Sequence, residues 1–389
     1  MQETPRANRL HIAFFGRTNS GKSTLMNQLA GQEISVVSEI SGTTTDPVYK
    51  SMELLPIGPV VLIDTAGLDD STELGTLRTQ KTDEVMRKTD LAVLVVSSRV
   101  QDFTEETKYL ALLQKYQVKT ICIQNCFGTE TPSPLPFEIP SLSLDASNPA
   151  DMGIFKKFLI QNAPTDFEIP YMTAHLIPEG SLVMLVMPQD IQAPKGRLIL
   201  PQVQMTRELL DRHCRVISVV PDGISEMLAV LNQKPDLVIV DSQIFRQVNE
   251  LIPSDIPLTS FSVLLSQNKG DITTFLEGAK ALRTLKPGDR VLILEACTHH
   301  ALEGDIARQK LPKLLEKYVG GPIAFDVFSG PGFPENFQDY KVALHCGGCM
   351  INRKNMLSRL SEAQHYKVPI TNFGIAIAYM NGMMDRICW

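Results

Sequence analysis

Short runs of consecutive apolar residues alternate along this chain with segments of helical period. In the first part of the chain, the apolar runs are RLHIAFF (9–15), VVLIDTAG (60–67), LAVLVVSS (91–98) and VKTICIQN (118–125). Stretches such as TQKTDEVMRKT and EETKYLALLQKY lie between them and have the spacing of amphipathic helices. Strands that are apolar throughout and alternate with helices are typical of a parallel sheet covered on both faces.

The same alternation resumes twice after the break NAPTDFEIP. The middle segment contains SLVMLVMP, CRVISVV and PDLVIVDSQ, and the last contains DRVLILEACTHH, IAFDVFSGPGFPE, YKVALHCGGCM and VPITNFGIAIAYMNG. The pattern therefore predicts an α/β protein of three domains, at residues 1–165, 166–263 and 264–389. The middle domain has neither a glycine-rich phosphate turn nor a cluster of His and Cys, so we expect it to mediate self-association or domain packing.

The composition narrows the classes of partner. The 389 residues include 37 basic and 43 acidic side chains, for a net charge of −6. This acidic balance argues against binding to nucleic acid or to a membrane surface. No apolar stretch approaches the roughly 18–20 residues of a membrane span, and no signal-peptide core precedes the first strand. We therefore expect a cytoplasmic protein.

The stretch GRTNSGKS, Gly16 to Ser23, fits the phosphate-loop pattern G-x-x-x-x-G-K-[ST] between a predicted strand and a predicted helix. Glycines let the backbone fold around an anion with its N–H groups inward, and the helix N-terminus adds to the attraction. Lys22 is expected to neutralise the β- and γ-phosphates, and the Ser23 hydroxyl to bind Mg²⁺. The predicted nucleotide-binding residues of this loop are Gly16, Asn19, Ser20, Gly21, Lys22, Ser23 and Thr24.

Two further motifs indicate a nucleoside-triphosphate switch. VVLIDTAG ends in Asp64, which can hold a metal-bound water, and in Gly67, whose N–H can reach a γ-phosphate. The polar loop SGTTTD offers Thr44 as a second hydroxyl for Mg²⁺. Lys22, Thr44, Asp64 and Gly67 are therefore the predicted catalytic residues.

On these motifs, residues 9–160 resemble the TrmE–Era group of translation-factor-type GTPases. The resemblance implies GTP and Mg²⁺ as cofactors, regulatory GTP hydrolysis, and a K⁺ ion at Asn19 that assists hydrolysis. The group's guanine-reading Asn-Lys-x-Asp motif aligns with a segment that begins at Asn125 and ends at Gly128, so a glycine replaces the guanine-binding acid. Backbone groups around Ala146, where the group has Ser-Ala, remain to hold the base. We expect weaker or less selective GTP binding.

The stretch LHCGGCM places His345, Cys346 and Cys349 close together, with two glycines between the thiols. Disulfides are rare in a reducing cytosol, so clustered cysteines indicate a metal site or a redox pair. Cys-Gly-Gly-Cys alone is compatible with a metal site, a redox pair or an incidental pair. Upstream, EACTHH supplies Cys297 and His299 at the end of another predicted strand. If these two strands are neighbours in one sheet, their carboxyl ends bring the three thiols together, which favours a metal.

Cys-x-His, a long spacer and His-Cys-x-x-Cys behind such a GTPase segment resemble the HydF family of [FeFe]-hydrogenase maturation GTPases over the whole chain. The resemblance implies a [4Fe–4S] cluster held by Cys297, Cys346 and Cys349, and a middle domain that dimerises. It further implies a scaffold or carrier that passes a transient diiron precursor to apo-[FeFe]-hydrogenase. The implied partners are that hydrogenase, two radical-SAM maturases and further copies of the chain.

The residues leave two questions open. His299, His345, Glu303, Asp305 or an external ligand remain candidates for the fourth iron position. A zinc-stabilised RNA-processing or ribosome-assembly GTPase is the alternative function, with the three cysteines and one histidine in a closed tetrahedral site. A thiol oxidoreductase would leave Cys297 and His299 without a role.

Overall fold

The structure is a computed structural model and describes residues 5–31, 47–65, 75–128, 130–164, 171–188, 198–296, 306–330 and 332–389. The chain divides into two compact units, Met1–Glu168 and Ile169–Trp389. Both consist of sheets built mainly from parallel strands with helices between them, so the predicted α/β class is confirmed. None of the helices within these described ranges is long and apolar enough to cross a membrane.

The described residues of the first unit form one six-stranded sheet. Its strands are β1 (Leu10–Phe15), β2 (Val48–Leu54), β3 (Gly58–Asp64), β4 (Leu91–Ser97), β5 (Lys119–Asn125) and β6 (Ser141–Leu144). Its helices are α1 (Lys22–Gly31), α2 (Gly75–Lys88), α3 (Thr104–Lys115) and α4 (Met152–Asn162). The strand order is β2-β3-β1-β4-β5-β6, with β2 antiparallel to β3 and every other neighbouring pair parallel.

Helices cover both faces of this sheet, which explains the unbroken apolar runs. All six residues of β1 are buried. Ile12 and Phe14 pack with α1 and α4 on one face, and Ala13 and Phe15 pack with α2 and α3 on the other. Because a strand buried on both faces has no solvent side, its sequence is apolar rather than alternating.

In the second unit, the part of the chain that the structure describes forms two four-stranded sheets. Its elements in chain order are β7 (Leu182–Val186), α5 (Leu200–Asp211), β8 (Arg215–Val219), α6 (Ile224–Val230), β9 (Leu237–Val240), α7 (Phe245–Leu251), β10 (Leu258–Ser260), α8 (Phe261–Lys269), α9 (Ile272–Lys280), β11 (Arg290–Glu295), α10 (Leu311–Val319), β12 (Ala324–Ser329), β13 (Val342–His345), α11 (Arg353–His365), β14 (Ile370–Asn372) and α12 (Phe373–Met380). The strand orders are β10-β9-β7-β8 and β12-β11-β13-β14, and all pairs in both sheets are parallel.

The two sheets of the second unit share one apolar core. Val240 and Phe245 from the first sheet region lie in the same buried cluster as Leu292 and Ala343 from the second. Helix α8 follows β10 without a break and spans the predicted boundary between residues 263 and 264. The predicted middle and C-terminal segments therefore lie in one compact unit, where a residue at the end of α8 can reach the second sheet.

Candidate functional site

The phosphate loop lies between β1 and α1, as its sequence predicts. Gly16 has φ of 149°, and a Cβ atom there would lie 2.2 Å from the carbonyl oxygen of Val95. Gly21 has φ of 100°, and a Cβ atom there would lie 2.2 Å from the amide nitrogen of the Asn125 side chain. Both positions therefore require glycine for backbone conformation and for space. Asn19 also has a positive φ, 59°, at the turn of the loop.

Ser23 and Asp64 are the described residues on which the predicted Mg²⁺ site depends. The Ser23 hydroxyl donates to Asp64 Oδ2 at 2.5 Å, and the buried Asp64 Oδ1 has no hydrogen-bond partner among the described residues. Burial raises the pKa of Asp64, while the Ser23 hydrogen bond and the charge of Lys22 oppose that rise. An unpaired carboxylate oxygen beside a hydroxyl fits a magnesium ion bound by Ser23, with Asp64 on a metal-bound water.

Of the remaining predicted residues of this site, three belong to the described part of the chain and two do not. The Lys22 ammonium lies over the loop and donates to the carbonyl oxygens of Gly16 (2.9 Å) and Arg17 (2.7 Å), while Thr24 is exposed in the first turn of α1. Ser20 is buried, and within the part of the chain that the structure describes its hydroxyl has no hydrogen-bond partner. Thr44 and Gly67 lie outside the described residues.

Asn125 joins the phosphate loop to the loop after β6. Its side-chain amide donates to the Ser20 carbonyl oxygen at 2.9 Å, and its Oδ1 accepts from the Ala146 N–H at 2.9 Å. Asn125 is only 2% exposed, so these bonds form in a water-poor setting. The predicted base-binding residues Asn125 and Ala146 therefore belong to one hydrogen-bonded assembly with the phosphate loop.

The thiol loop, residues 346–351, begins directly after β13, and β11 is a neighbour of β13 in the sheet. The Cys346 N–H donates to the Leu294 carbonyl oxygen at 2.9 Å, and the Ala296 N–H donates to Cys346 Sγ at 3.2 Å. Ala296, the second residue of the EAC segment, thus contacts the Cys-Gly-Gly-Cys loop. Cys297 and His299, like Glu303 and Asp305, lie outside the described residues. Within the described ranges, no three His, Cys, Asp or Glu side chains are grouped closely enough to hold a metal ion.

The backbone of the thiol loop adopts a conformation that favours glycine at one position. Gly348 has φ of 63°, and a Cβ atom there would lie 2.4 Å from Met356 Cε. Burial raises the pKa of both Cys346 and Cys349. Burial therefore disfavours the thiolate form of both cysteines, and a bound metal would have to displace their protons.

Lys269, the last residue of α8, is 1% exposed and lies beneath the thiol loop. Its ammonium donates to the carbonyl oxygens of Gly348 (3.2 Å), Cys349 (3.1 Å) and Ile351 (2.8 Å). Burial lowers the pKa of Lys269 to about 8, and negative charge on Cys349 and Cys346 opposes that shift. Nothing in the sequence pattern singles out this residue, because a lysine at the end of a helix usually faces solvent.

His345 is fully buried, and both of its ring nitrogens have partners. Arg359 Nη1 lies 2.9 Å from Nε2, and the Cys346 carbonyl oxygen lies 2.6 Å from Nδ1. Because a guanidinium can only donate, Nε2 accepts and Nδ1 carries the proton. Burial lowers the pKa of His345 to about 3, so the ring is neutral. In this arrangement His345 orients the loop backbone and offers no free nitrogen to a metal, which favours a positioning role over the predicted metal-ligand role.

Two more polar side chains complete this edge of the sheet. Glu295, 3% exposed, pairs with Arg308 at 2.8 Å and accepts from the Ser329 hydroxyl at 2.9 Å. Asn372 pairs in register with His345 and accepts from Ser262 Oγ at 2.7 Å. Its buried amide nitrogen has no hydrogen-bond partner in the described ranges. Two thiols with an unpaired donor and two buried cations nearby fit the chemistry of a thiolate-bound cluster.

The fold and the phosphate loop define a P-loop GTPase domain. Residues 11–125 match the family described as "50S ribosome-binding GTPase". The tRNA modification GTPase MnmE of Nitrosomonas europaea is 29% identical over 189 residues, 47% of this chain and 41% of that protein. GTPase Der of Wolinella succinogenes is 32% identical over 128 residues, 32% of this chain and 27% of that protein. The chain therefore spans less than half the length of these curated relatives.

The rest of the chain gives the family. Residues 172–270 match the family described as "Hydrogen maturase F dimerization domain", and residues 273–388 match the "Hydrogen maturase F tetramerization domain". Together these two matches cover over half of the chain. The chain belongs to the hydrogen maturase F family, which confirms the resemblance to HydF. The crystal structure of Aquifex aeolicus Era bound to GDP·AlF4⁻ aligns with a TM-score of 0.33 and 14% identity over 82% of this chain and 92% of that one.

Proposed function

We propose that this protein is a GTP-binding and GTP-hydrolysing scaffold for [FeFe]-hydrogenase maturation. It binds a [4Fe–4S] cluster through Cys297, Cys346 and Cys349 and transfers a diiron precursor to apo-hydrogenase, with two radical-SAM maturases as further partners. The matches to the dimerization and tetramerization domains support a homo-oligomer. GTP hydrolysis regulates partner exchange, with Mg²⁺ at Ser23 and Thr44 and with K⁺ at Asn19.

The contact between Ala296 N–H and Cys346 Sγ is the observation that carries the cluster assignment. Cys297 follows Ala296 in the sequence, so the residue directly before Cys297 contacts the sulfur of Cys346. A bound cluster would supply redox-active iron, and the three thiolates that the chain offers would leave room for a further ligand. Lys269, His345 and Arg359 orient the loop that holds two of them.

Anaerobic purification tests the cluster assignment. Iron and acid-labile sulfide are measured in the unchanged protein and in the Cys297→Ser, Cys346→Ser and Cys349→Ser variants. We expect about four irons per chain, with each serine variant losing most of them and Cys388→Ser, as the matched control, losing none. A colourless protein with one tightly bound zinc would instead support the RNA-processing alternative.

The nucleotide assignment has a separate test. Lys22→Ala removes the positive charge that faces the β- and γ-phosphates, so hydrolysis should fall to background. Cluster content should stay unchanged, because the thiol residues lie in the second compact unit. Loss of iron in this variant would contradict the separation of the two sites. For Asn19, replacing K⁺ with Na⁺ should slow hydrolysis in the unchanged protein and should have less effect in Asn19→Ala.

A further inference from the structure

A carboxylate from another loop lies where the guanine-reading acid is absent. Gly128 takes the position of that acid in the aligned motif; its φ is 67°, and a Cβ atom added there would meet open space. The Gly128 N–H donates to Asp145 Oδ2 at 3.3 Å. Asp145 directly follows β6, 17 positions further along the chain. An acid is therefore present beside the position that lacks one.

Asp145 is also held against the nucleotide loop. Its neighbour Ala146 donates to Asn125, and Asn125 donates to Ser20 of the phosphate loop. A Cβ atom on Gly21 would lie 3.6 Å from the Ala146 Cβ. The backbone of Asp145 is thus fixed relative to the phosphate loop by buried hydrogen bonds, and its side chain is only partly exposed.

We propose that Asp145 is the residue that selects guanine in this protein, in place of the acid that Gly128 lacks. This inference rests on the proposed binding of GTP. Guanine presents two donors on one edge, the N1–H and the C2 amine, and a carboxylate accepts from both. Adenine presents an acceptor at N1 and no amine at C2, so the same carboxylate disfavours it.

The surroundings of Asp145 favour the charged form of its carboxylate and also occupy part of its hydrogen-bonding capacity. Hydrogen bonds from the Ser147 side chain and backbone, and from Gly128, hold the pKa of Asp145 below its usual range. Its Oδ1 accepts from the Ser147 N–H at 2.8 Å and from the Ser147 hydroxyl at 2.7 Å. A carboxylate has about four acceptor positions, so guanine must share the carboxylate with these partners. Selection of guanine should therefore be weaker than with an unshared acid.

The Asp145→Asn substitution separates base reading from loop folding. Asparagine keeps an oxygen that can accept from Ser147, so the turn is preserved, but it replaces one carboxylate oxygen by an amide donor. Xanthine carries an acceptor oxygen where guanine carries the C2 amine. The variant should therefore lose affinity for GTP and gain affinity for xanthosine triphosphate. A purely structural role of Asp145 would change both affinities together.

The experiment measures binding of GTP, ATP and xanthosine triphosphate to the full chain in Mg²⁺ by calorimetry. In Asp145→Asn, we expect the ratio of GTP to xanthosine triphosphate affinity to fall roughly ten- to a hundredfold. Asp151→Asn is the matched control: its Oδ2 accepts from the Asp145 N–H at 2.9 Å in the same loop, and the ratio should not change. The double variant Asp145→Asn with Gly128→Asp should recover selection of GTP.

Three outcomes have distinct meanings. An unchanged affinity ratio in a folded Asp145→Asn variant would overturn the assignment of Asp145. If Asp145→Asn does not fold, the single variant Gly128→Asp decides, because a second acid should then improve selection of GTP over ATP only modestly. A large gain would show that Asp145 does not read the base. If the unchanged protein binds no GTP at all, the proposed function fails independently of Asp145.

Discussion

Replacing Lys269 by methionine should destabilise the second unit, since the buried ammonium is the common donor to three carbonyl oxygens of the thiol loop. Methionine has a similar length but no donor, so the oxygens of Gly348, Cys349 and Ile351 lose this partner. The loop then loses its hydrogen-bonded link to α8. This substitution changes no thiol and touches no residue of the phosphate loop.

Two opposing contributions determine the magnitude. Hydrogen bonds to a charged donor contribute about 1.5–3 kcal/mol each, and at the lower end of that range three of them contribute roughly 5 kcal/mol. Burial of the charge opposes this: lowering the lysine pKa from 10.5 to about 8 corresponds to a cost of about 3 kcal/mol. The net loss in the variant is therefore about 2 kcal/mol. In a unit of this size, that lowers the melting temperature by roughly 4–8 °C.

The single tryptophan makes the assay specific to the second unit. Trp389 is the only tryptophan of the chain and is 37% exposed, so its fluorescence reports unfolding of Ile169–Trp389. Lys280→Met is the matched control, because the Lys280 side chain is 62% exposed and pairs with Glu277 across one turn of the same helix. Its midpoint should move by less than about 1 °C. An equally small shift in Lys269→Met would refute the reasoning, since the ammonium would then contribute nothing net.

Other contacts lead to three more expected outcomes. Gly278→Ala should lower the stability of the second unit by about 2 kcal/mol, because the added Cβ would lie 1.9 Å from the Ile370 carbonyl oxygen. Urea unfolding followed by Trp389 fluorescence measures this loss. As the control, Gly223→Ala in the same unit should not destabilise, because the added Cβ would meet nothing within 4 Å. Asn125→Ala should weaken GTP binding roughly tenfold or more in calorimetry, because Ser20 and Ala146 lose their link; unchanged affinity would show that the two loops hold each other without it. Asp64→Asn should shift the Mg²⁺ titration of GTP hydrolysis, measured as phosphate release, to higher Mg²⁺ concentrations, because the side chain loses its negative charge beside the metal. An unchanged Mg²⁺ curve would remove Asp64 from the metal site.

Local sequence predicted the elements that carry their own signal. The phosphate loop needs glycines at fixed positions and a strand and helix on either side, so its pattern and its structure coincide at Gly16 and Gly21. Apolar runs predicted the buried strands because helices cover both faces of the sheet. The antiparallel direction of β2 was not predicted, because the pairing direction of an edge strand depends on the connection to β3 and not on its own residues.

The sequence pattern did not predict contacts between residues that lie far apart along the chain. Lys269 and Cys349 are 80 positions apart, and the lysine stands at a helix end where a solvated cation interacts favourably with the helix dipole. Only the packing of α8 against the second sheet turns it inward. His345 has the sequence context of a metal ligand, yet Arg359, contributed by α11, occupies its Nε2. Periodicity cannot reveal such a partner, because it reports which face of a helix is buried and not what lies opposite.

The topology of the last sheet explains how two segments far apart in sequence meet at one edge. In the order β12-β11-β13-β14 every strand is parallel, so all four strands end at the same edge. That edge receives Glu295 from β11, Ser329 from β12, His345 from β13 and Asn372 from β14. Ser329 bonds Glu295 across one pair, and the Ala296 N–H reaches Cys346 across the next. Of the residues between EAC and the Cys-Gly-Gly-Cys loop, α10 and β12 belong to the described part of the chain, and β12 is an edge strand, which leaves β11 and β13 as direct neighbours. The long separation in sequence between Ala296 and Cys346 is therefore compatible with their direct contact at this edge.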